Sequence, residues 1–254
     1  MWSLPWPIAA RIVPRLPAGI QRFREVDTWD SAALLSREYP AAYSHEDVPL
    51  DLSVVRTDVL RSRWVELVAA FGVALASAEK SRFVRVVDFG GHLGAAYEVV
   101  SQAYPDFTFE WTVVETPDVV CLAREKGPKG VVFLSDLDEA LGEPVDVTLA
   151  AASLNYVAEP MSLASALRCS SQASIFTRLP LWPIASATPA VQRIRGRRRG
   201  YSYPTWFFSE SQFLRWAEHK SEILLRFEVP GDRAFFRGSY RTYQGLVLYN
   251  VERH

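Results

Sequence analysis

The spacing of apolar and polar residues changes near Ser81. Before that position the spacing is helical, because Asp27 can cap a helix that runs through Ala32 and Leu35, and a longer apolar stripe follows. The stripe has apolar residues three and four positions apart, namely Leu60, Trp64, Leu67, Val68, Phe71 and Leu75. We therefore expect residues 1–80 to form a helical segment with this stripe as its packing face.

After the boundary, short runs rich in β-branched and aromatic residues alternate with helical stretches. This order is typical of a parallel sheet with helices on its faces. The predicted strands cover residues 83–88, 107–115, 131–134, 145–151 and 173–177. Two further strand-like runs, 223–229 and 245–251, have no helix between them, so we expect an antiparallel hairpin at the sheet edge. Residues 81–254 are therefore predicted to form one α/β domain.

The stretch between the fifth strand and the hairpin carries two local signals. Ser209 and Gln212 fit a capping box, and the neighbouring Phe208 and Phe213 fit a hydrophobic staple, so a helix should begin there. Five arginines cluster just before it, namely Arg193, Arg195, Arg197, Arg198 and Arg199. Such a charge run is more often a flexible solvated loop, which we favour over a clamp for a phosphate, carboxylate or nucleotide-sugar acceptor.

Composition limits the classes of function. Of the 254 residues, 49% are hydrophobic and 22% are charged, which excludes a disordered or collagen-like chain. The net charge of −1 gives no electrostatic footprint for duplex nucleic acid, so nucleic acid is not expected as a partner. Cys121 and Cys169 lack metal-ligand spacing, so we expect no metal site and no disulfide framework.

The amino-terminal stretch is apolar but does not have the pattern of an export signal. Prolines interrupt residues 1–17, and no positively charged residue precedes the apolar run. Nowhere else do about 18 apolar residues follow one another, so a bilayer span is not expected either. We expect a soluble, cytoplasmic protein without a membrane partner.

Five residues around the first strand of the domain form an arrangement typical of nucleotide cofactor sites. Asp88 ends the strand, and Gly90, Gly91 and Gly94 form the turn into the next helix. Glu115 ends the following strand, where an acid can accept hydrogen bonds from both ribose hydroxyls. The glycines let the backbone approach a ligand, but their spacing is not G-x-G-x-x-G, so a dinucleotide pyrophosphate site is not expected.

Residues 86–94, Val-Val-Asp-Phe-Gly-Gly-His-Leu-Gly, resemble the first motif of class I S-adenosylmethionine-dependent methyltransferases. The order of elements agrees, because that class has a Rossmann-like, mostly parallel sheet of seven strands whose last two form a hairpin. Residues 113–115, 153–156 and 203–208 further resemble a family of largely uncharacterised bacterial proteins that are regarded as methyltransferases. The likeness covers residues 29–251. It implies S-adenosyl-L-methionine as cofactor and S-adenosyl-L-homocysteine as product, without naming a substrate.

The resemblance also implies which residues bind the cofactor. They are Asp88, Gly90, Gly91, Gly94, Glu115, Asp136 and Ser153. Asp88 and the glycine backbone would face the methionine part of the cofactor, Glu115 would hold the ribose, and Asp136 would receive the adenine amino group. Ser153 would lie beside both the cofactor and the methyl acceptor.

His92 departs from the family pattern, which generally has a small residue at this position of the turn. A large side chain can obstruct the ligand. The imidazole can instead swing outwards to contact the cofactor carboxylate, or serve as a base, because histidine titrates near neutrality. Packing is the commoner role, so His92 is a catalytic candidate only.

Methyl transfer from a sulfonium is an in-line displacement, so the protein chiefly holds the acceptor close and removes one proton if the acceptor is a hydroxyl. Asn155 and Tyr156 stand where this class places acceptor-facing groups, and each can equally be structural. Arg178, after the fifth strand, is a candidate to pair with an anionic acceptor. The candidates for a pocket wall are Tyr203, Trp206 and Phe207, although aromatic residues before a capped helix are more often core.

Together these residues predict a methyltransferase that acts on an oxygen of a small or sugar-like biosynthetic intermediate, with residues 1–80 covering the acceptor side. Two alternatives stay open: a noncatalytic binding or scaffold protein with this fold, and an enzyme that uses the same cofactor for different chemistry. The fold does not decide among them. The expected partner is a small-molecule acceptor, and the sequence leaves open whether the chain forms a homodimer.

Overall fold

The computed structural model describes residues 22–36, 64–77, 81–195 and 200–253. The strands in these ranges are β1 (Arg22–Glu25), β2 (Phe83–Phe89), β3 (Thr108–Val114), β4 (Val131–Leu134), β5 (Val145–Ala151), β6 (Ser171–Leu179), β7 (Leu181–Trp182), β8 (Thr188–Arg195), β9 (Gly200–Ser209), β10 (Ser221–Phe236) and β11 (Ser239–Asn250). The α-helices are α1 (Trp29–Ser36), α2 (Val65–Ser77), α3 (Ala95–Ala103), α4 (Pro117–Lys126), α5 (Leu137–Ala140), α6 (Pro160–Ser170) and α7 (Glu210–Glu218). Short 3₁₀ helices cover Leu154–Tyr156 and Val251–Arg253.

Seven of the described strands form the main sheet, in the order β10-β11-β6-β5-β2-β3-β4. Strands β2 to β6 run parallel to one another, whereas β10 and β11 form an antiparallel hairpin whose inner strand, β11, pairs with β6. The strand order reverses between β2 and β5, so the carboxyl ends of these strands flank a crevice. The predicted Rossmann-like sheet with an antiparallel edge hairpin is confirmed.

The central strands of this sheet are buried on both faces, which explains why they form continuous apolar runs in the sequence. Val86, Val87, Val147 and Leu149 are each at most 1% exposed. Strands β4 and β5 coincide with their predictions, and β2 and β3 differ from theirs by one residue at one or both ends. Strand β6 extends two residues further at each end.

Helix α2 packs against the main sheet through the apolar stripe that the sequence predicts. Leu67 and Phe71 are buried, and the Phe71 ring stacks on Trp111 of β3 with centroids 5.4 Å apart. The helix begins one residue after Trp64, and Leu60 lies outside the described residues. The helix and the sheet share one hydrophobic core, so the predicted boundary separates two stretches of sequence and not two cores.

The amino-terminal segment is not wholly helical, because β1 pairs with β8. This pairing sets the Phe23 ring edge-on against Phe207, with centroids 4.7 Å apart. Burial against a distant strand outweighs the local preference, and the helical spacing of the sequence does not report it. Helix α1 also begins differently: Thr28 Oγ1, and not the predicted Asp27, accepts a hydrogen bond from the Ser31 N–H at 3.1 Å.

Four described strands form a second sheet, in the order β1-β8-β9-β7, which the sequence does not predict. Strand β8 pairs antiparallel with β1 and β9, and β7 pairs parallel with β9. In its aromatic core Phe207 stacks on Phe236 with centroids 3.8 Å apart, and Trp182 lies edge-on to Phe207 at 4.9 Å. Phe236 belongs to β10, which runs beyond both of its predicted ends, so the hairpin of the main sheet also packs against the second sheet.

Part of the arginine cluster lies in this second sheet. Arg193 and Arg195 belong to β8, so the predicted solvated loop is wrong for these two residues. The arginines at 197–199 lie outside the described residues. A charge run indicates a loop only where its neighbours are exposed, and here Val191 and Gln192 are buried and paired with β9.

Helix α7 begins directly after Ser209, where the sequence predicts a helix start, but the predicted capping box is absent. The Ser209 side chain makes no capping hydrogen bond, and Gln212 Nε2 donates to the Ala185 carbonyl at 2.8 Å instead. The predicted staple is present, because the rings of Phe208 and Phe213 lie 5.4 Å apart. Apolar packing therefore marks this helix start, and the Gln212 side chain instead binds the backbone of the segment before β8.

Candidate functional site

The turn from β2 into α3 depends on glycine. Gly90 and Gly94 have φ angles of 73° and 80°, a region that side chains rarely adopt. A Cβ on Gly90 would lie 2.4 Å from the Ser153 Cβ, and one on Gly91 would lie 2.3 Å from the Asp88 Oδ2. The sequence therefore keeps bare backbone where two side chains approach the turn closely.

Asp88 ends β2 beside this turn and is 1% exposed. Its Oδ2 accepts a hydrogen bond from Trp111 Nε1 at 3.4 Å, while its Oδ1 has no partner among the described residues. Burial raises the pKa of Asp88 to about 7; the Trp111 hydrogen bond opposes the rise and the Glu115 charge adds to it. A buried carboxylate with an unpartnered oxygen is costly, so a ligand that donates to it is favoured.

Glu115 joins the turn to the end of β3. Its Oε1 accepts a hydrogen bond from the His92 N–H at 3.1 Å, and its Oε2 accepts one from the Thr116 N–H at 3.0 Å. These bonds fix the carboxylate, and each oxygen keeps a lone pair for a further donor. Glu115 thus lies beside the turn, and its contact with a ribose stays a prediction.

His92 has a left-handed backbone with a φ of 53°, a conformation in which histidine is one of the more frequent residues after glycine. Burial lowers the pKa of His92, and the Glu115 charge opposes this decrease, so the imidazole is mainly neutral at pH 7. A neutral imidazole can accept a proton. The catalytic role of His92 stays a prediction.

Ser153 and Asp136 bond to the backbone of neighbouring elements. Ser153 Oγ donates to the Phe89 carbonyl at 2.7 Å and so joins the ends of β2 and β5. Asp136 Oδ1 accepts from the N–H groups of Asp138 and Glu139 at 2.8 and 3.1 Å, which caps helix α5. Asp136 therefore has a structural task that the sequence analysis missed, and its adenine contact stays a prediction.

A cavity of about 280 Å³ lies at the carboxyl ends of β2, β5 and β6. Its titratable and charged lining, in the part of the chain that the structure describes, consists of Glu66, Asp88, His92 and Arg178. Trp64 and Leu67 line it beside Glu66, so the segment around the start of α2 forms part of the wall. Crevices at the carboxyl ends of parallel strands, where the strand order reverses, are the usual ligand sites of such sheets.

Glu66 is a cavity residue that the sequence analysis missed. It lies in the first turn of α2, and its Oε2 is buried without a hydrogen-bond partner in the described residues. An acid next to an apolar helix stripe forms no motif, so the sequence carries no signal for it. Only the packing of α2 against the end of the sheet brings Glu66 to the turn.

Asn155 and Tyr156 connect the end of β5 to the second sheet. Asn155 is 1% exposed, and its Nδ2 donates to Thr205 Oγ1 at 2.8 Å. The Tyr156 hydroxyl donates to Gln192 Oε1 at 2.7 Å, and burial raises the pKa of Tyr156, so the phenol stays protonated. Neither residue is part of the cavity wall that the described chain forms. Both have structural contacts, and their contact with an acceptor stays a prediction.

Arg178 lines the cavity and already has an anionic partner. Its Nε donates to Oδ2 of Asp232, which lies where the register of β10 shifts between Val229 and Arg233. Arg178 has a φ of 61°, so the backbone turns sharply near the end of β6. Because Asp232 compensates its charge, Arg178 is less suited to the predicted pairing with an anionic acceptor.

The three aromatic candidates on β9 pack in different places. The Tyr203 ring lies 5.9 Å from the Tyr156 ring, and Trp206 stacks on Trp29 at 5.5 Å. Phe207 is 0% exposed in the core of the second sheet. None of the three lines the cavity within the described ranges, and Phe207 is a core residue, which corrects its assignment to a pocket wall.

No group of three or more His, Cys, Asp or Glu side chains among the described residues is placed to hold a metal ion. In the same part of the chain, no helix has both the length and the apolar character needed to cross a membrane. Cys121 and Cys169 are exposed free thiols.

Comparisons with known proteins give similarity of structure but not of sequence. No protein-family model matches the chain, and no curated protein matches it. The PH0226 protein from Pyrococcus horikoshii OT3 is 15% identical, with a TM-score of 0.50 over 76% of this chain and 93% of that one. The CcbJ methyltransferase from Streptomyces caelestis is 17% identical, with a TM-score of 0.49 over 72% and 88%.

A third structure is 1,6-didemethyltoxoflavin-N1-methyltransferase from Burkholderia thailandensis, solved with 1,6-didemethyltoxoflavin and S-adenosylhomocysteine. It is 14% identical, with a TM-score of 0.47 over 93% of this chain and 98% of that one. Identities this low carry the fold and not an activity. The strand order and the likeness to PH0226 agree on a Rossmann-like fold, which is the fold that the resemblance of the first motif implies.

Proposed function

We propose that this protein is an S-adenosylmethionine-dependent methyltransferase that acts on a small-molecule acceptor. The observation that carries the proposal is the turn at residues 88–94, where bare glycine backbone borders the cavity and the buried Asp88 keeps an oxygen without a described partner. Such a turn favours a ligand with cationic donor groups. The resemblance of the same residues to the first methyltransferase motif names that ligand.

The residues around the turn fit this cofactor chemically. Asp88 and the glycine backbone would hold the methionine part, Glu115 has lone pairs for the ribose hydroxyls, and Asp136 would receive the adenine amino group. When bound, S-adenosylmethionine supplies a methyl group on a sulfonium to a nucleophile. The protein's own task is to orient the acceptor and to exclude water.

In this proposal the acceptor is a hydroxyl of a small or sugar-like biosynthetic intermediate. Asn155 and the segment 201–208, apart from the core residue Phe207, align that hydroxyl beside the end of β5. His92 or a water chain receives the proton that leaves the acceptor oxygen, and His92 suits this role because its imidazole is neutral near pH 7 and lines the cavity. Tyr156 does not serve as the base, since burial raises its pKa and keeps the phenol protonated.

Calorimetric titration with S-adenosylhomocysteine tests the cofactor assignment. Glu115→Ala removes the proposed ribose acceptors and the bond that fixes the His92 N–H, so binding should weaken by about a hundredfold. Glu125→Ala, at an exposed position of α4, is the matched control and should bind as the wild type does. Unchanged affinity in Glu115→Ala refutes the ribose assignment, and absence of binding to the wild type refutes the proposed cofactor.

A noncatalytic binding protein is the second candidate, and one arrangement favours it. His92 stands in the turn where the family that these residues resemble generally has a small residue, while neither Asn155 nor Tyr156 lines the cavity within the described chain. Turnover separates the two candidates. Incubation with S-adenosylmethionine and a panel of sugar-like alcohols, followed by mass spectrometry, should give S-adenosylhomocysteine and a methylated product if the protein is an enzyme. Cofactor binding without turnover of any acceptor favours the second candidate.

A further inference from the structure

The charges that line the cavity do not balance within the described residues. Glu66 and Asp88 are acids, Arg178 is compensated by Asp232, and the pKa of His92 is lowered by burial so that its ring is neutral. The described cavity wall therefore holds two carboxyl groups and no uncompensated cation. A ligand of positive charge is the complement of such a wall.

Two residues of this wall each have a buried carboxylate oxygen that lacks a hydrogen-bond donor in the described chain. These oxygens are Oδ1 of Asp88, in a residue that is 1% exposed, and Oε2 of Glu66. A buried acceptor without a donor costs free energy, and charged acceptors cost most. The ligand that fits must therefore bring N–H or O–H donors as well as positive charge.

This pair of requirements distinguishes between kinds of cation. No described group of three or more candidate ligands is arranged to hold a metal ion. A sulfonium carries positive charge but has no N–H group to donate. An ammonium carries the same charge with three donors, which satisfies both requirements.

We propose that Glu66 is an additional ligand-binding residue, and that its Oε2 accepts a charge-assisted hydrogen bond from the α-ammonium group of the bound amino acid part of the ligand. This assignment rests on the proposed function, which supplies that ammonium group. Glu66 lies on helix α2, outside the four segments that resemble the methyltransferase family (86–94, 113–115, 153–156 and 203–208). The helix therefore acts as part of the cofactor site in addition to packing on the sheet.

The test compares two nucleosides that differ in the amino acid part. S-adenosylhomocysteine has the α-ammonium, whereas 5′-methylthioadenosine lacks the amino acid part and keeps the adenosine. Glu66→Gln, measured by isothermal titration calorimetry, should weaken binding of S-adenosylhomocysteine by about ten- to a hundredfold. Its affinity for 5′-methylthioadenosine should stay within about twofold of the wild-type value, because the substitution touches no adenosine contact. Retained 5′-methylthioadenosine binding also shows that the variant is folded.

Glu125→Gln, which removes one exposed charge elsewhere, is the control and should bind both nucleosides as the wild type does. The assignment is overturned if Glu66→Gln loses affinity equally for both nucleosides or for neither. It is also overturned if the variant loses affinity for S-adenosylmethionine but not for S-adenosylhomocysteine, because that result assigns Glu66 to the sulfonium. A wild type that binds neither nucleoside overturns the proposed function and the assignment with it. If the wild type binds both nucleosides and Glu66→Gln binds them equally well, the assignment of Glu66 is overturned and the proposed function is not.

Discussion

The turn at residues 88–94 and the second sheet differ in what holds them in place. In the turn, glycine conformation and backbone N–H groups set the geometry, and Glu115 binds the backbone of His92 directly. At the second sheet, side chains hold the structure across long stretches of sequence: Asn155 donates to Thr205, 50 positions later. The proposed cofactor half of the site is therefore set largely by backbone conformation, and the proposed acceptor half by side-chain contacts.

Because the two regions are held in place differently, different substitutions should damage them. A turn that depends on missing side chains fails when a side chain is added. A sheet that depends on buried aromatic contacts fails when volume is removed. Substitutions in the two halves should therefore affect different measurements, cofactor affinity in the first case and stability in the second.

Gly90→Ala should have the largest effect on cofactor affinity. The alanine would have to adopt a φ of 73°, which is strained for a residue with a side chain, and its Cβ would lie 2.4 Å from the Ser153 Cβ. The turn must therefore move. We expect binding of S-adenosylhomocysteine to fall below detection by calorimetry. Gly142→Ala is the control, because its Cβ would come no closer than 3.4 Å to another atom, and its affinity should match the wild type. Wild-type affinity in Gly90→Ala contradicts the role given to the turn.

Phe207→Ala should affect stability instead. The ring is 0% exposed and stacks on Phe236, so its removal should lower the free energy of unfolding by about 3–5 kcal/mol in a denaturant titration. Phe235→Ala, at a ring that is 39% exposed, should cost far less. Folded Phe207→Ala should keep its affinity for S-adenosylhomocysteine. A joint loss of affinity and stability means that the two halves are not independent.

A smaller effect is expected from pH. The pKa of Asp88 is raised to about 7 in the free protein, and a bound ammonium favours the ionised carboxylate, so binding releases a proton. Affinity for S-adenosylhomocysteine should therefore rise about tenfold from pH 6 to pH 8 and level off above that range. Asp88→Asn should remove the slope. A wild-type affinity that is flat or falls with pH opposes this assignment.

The sequence predicts the main sheet well because its central strands are buried on both faces. Such strands form unbroken apolar runs, and the helices between them leave an equally clear spacing. The glycine turn is predictable for a related reason, since Gly90 and Gly94 mark left-handed backbone and Asp88 marks the strand end. These features are local, so a short window of sequence contains them.

The second sheet is not predictable in the same way. Strand β8 contains a proline, two arginines and a buried Gln192, which together suggest a loop, and its strand form depends on pairing with β1 and β9. Glu66 shows the same limit at the site itself. Its place in the cavity wall depends on how α2 packs against distant strands, and no spacing of residues near it reports that packing.

A crystal structure of the protein grown with S-adenosylhomocysteine tests the central claim most directly. We expect the nucleoside between the 88–94 turn and Glu115, with the ribose hydroxyls on that carboxylate and the amino acid end in the cavity beside Asp88. The claim is contradicted if crystals grown at a saturating concentration of S-adenosylhomocysteine show no nucleoside in the cavity and the His92 ring occupies the space expected for the amino acid end.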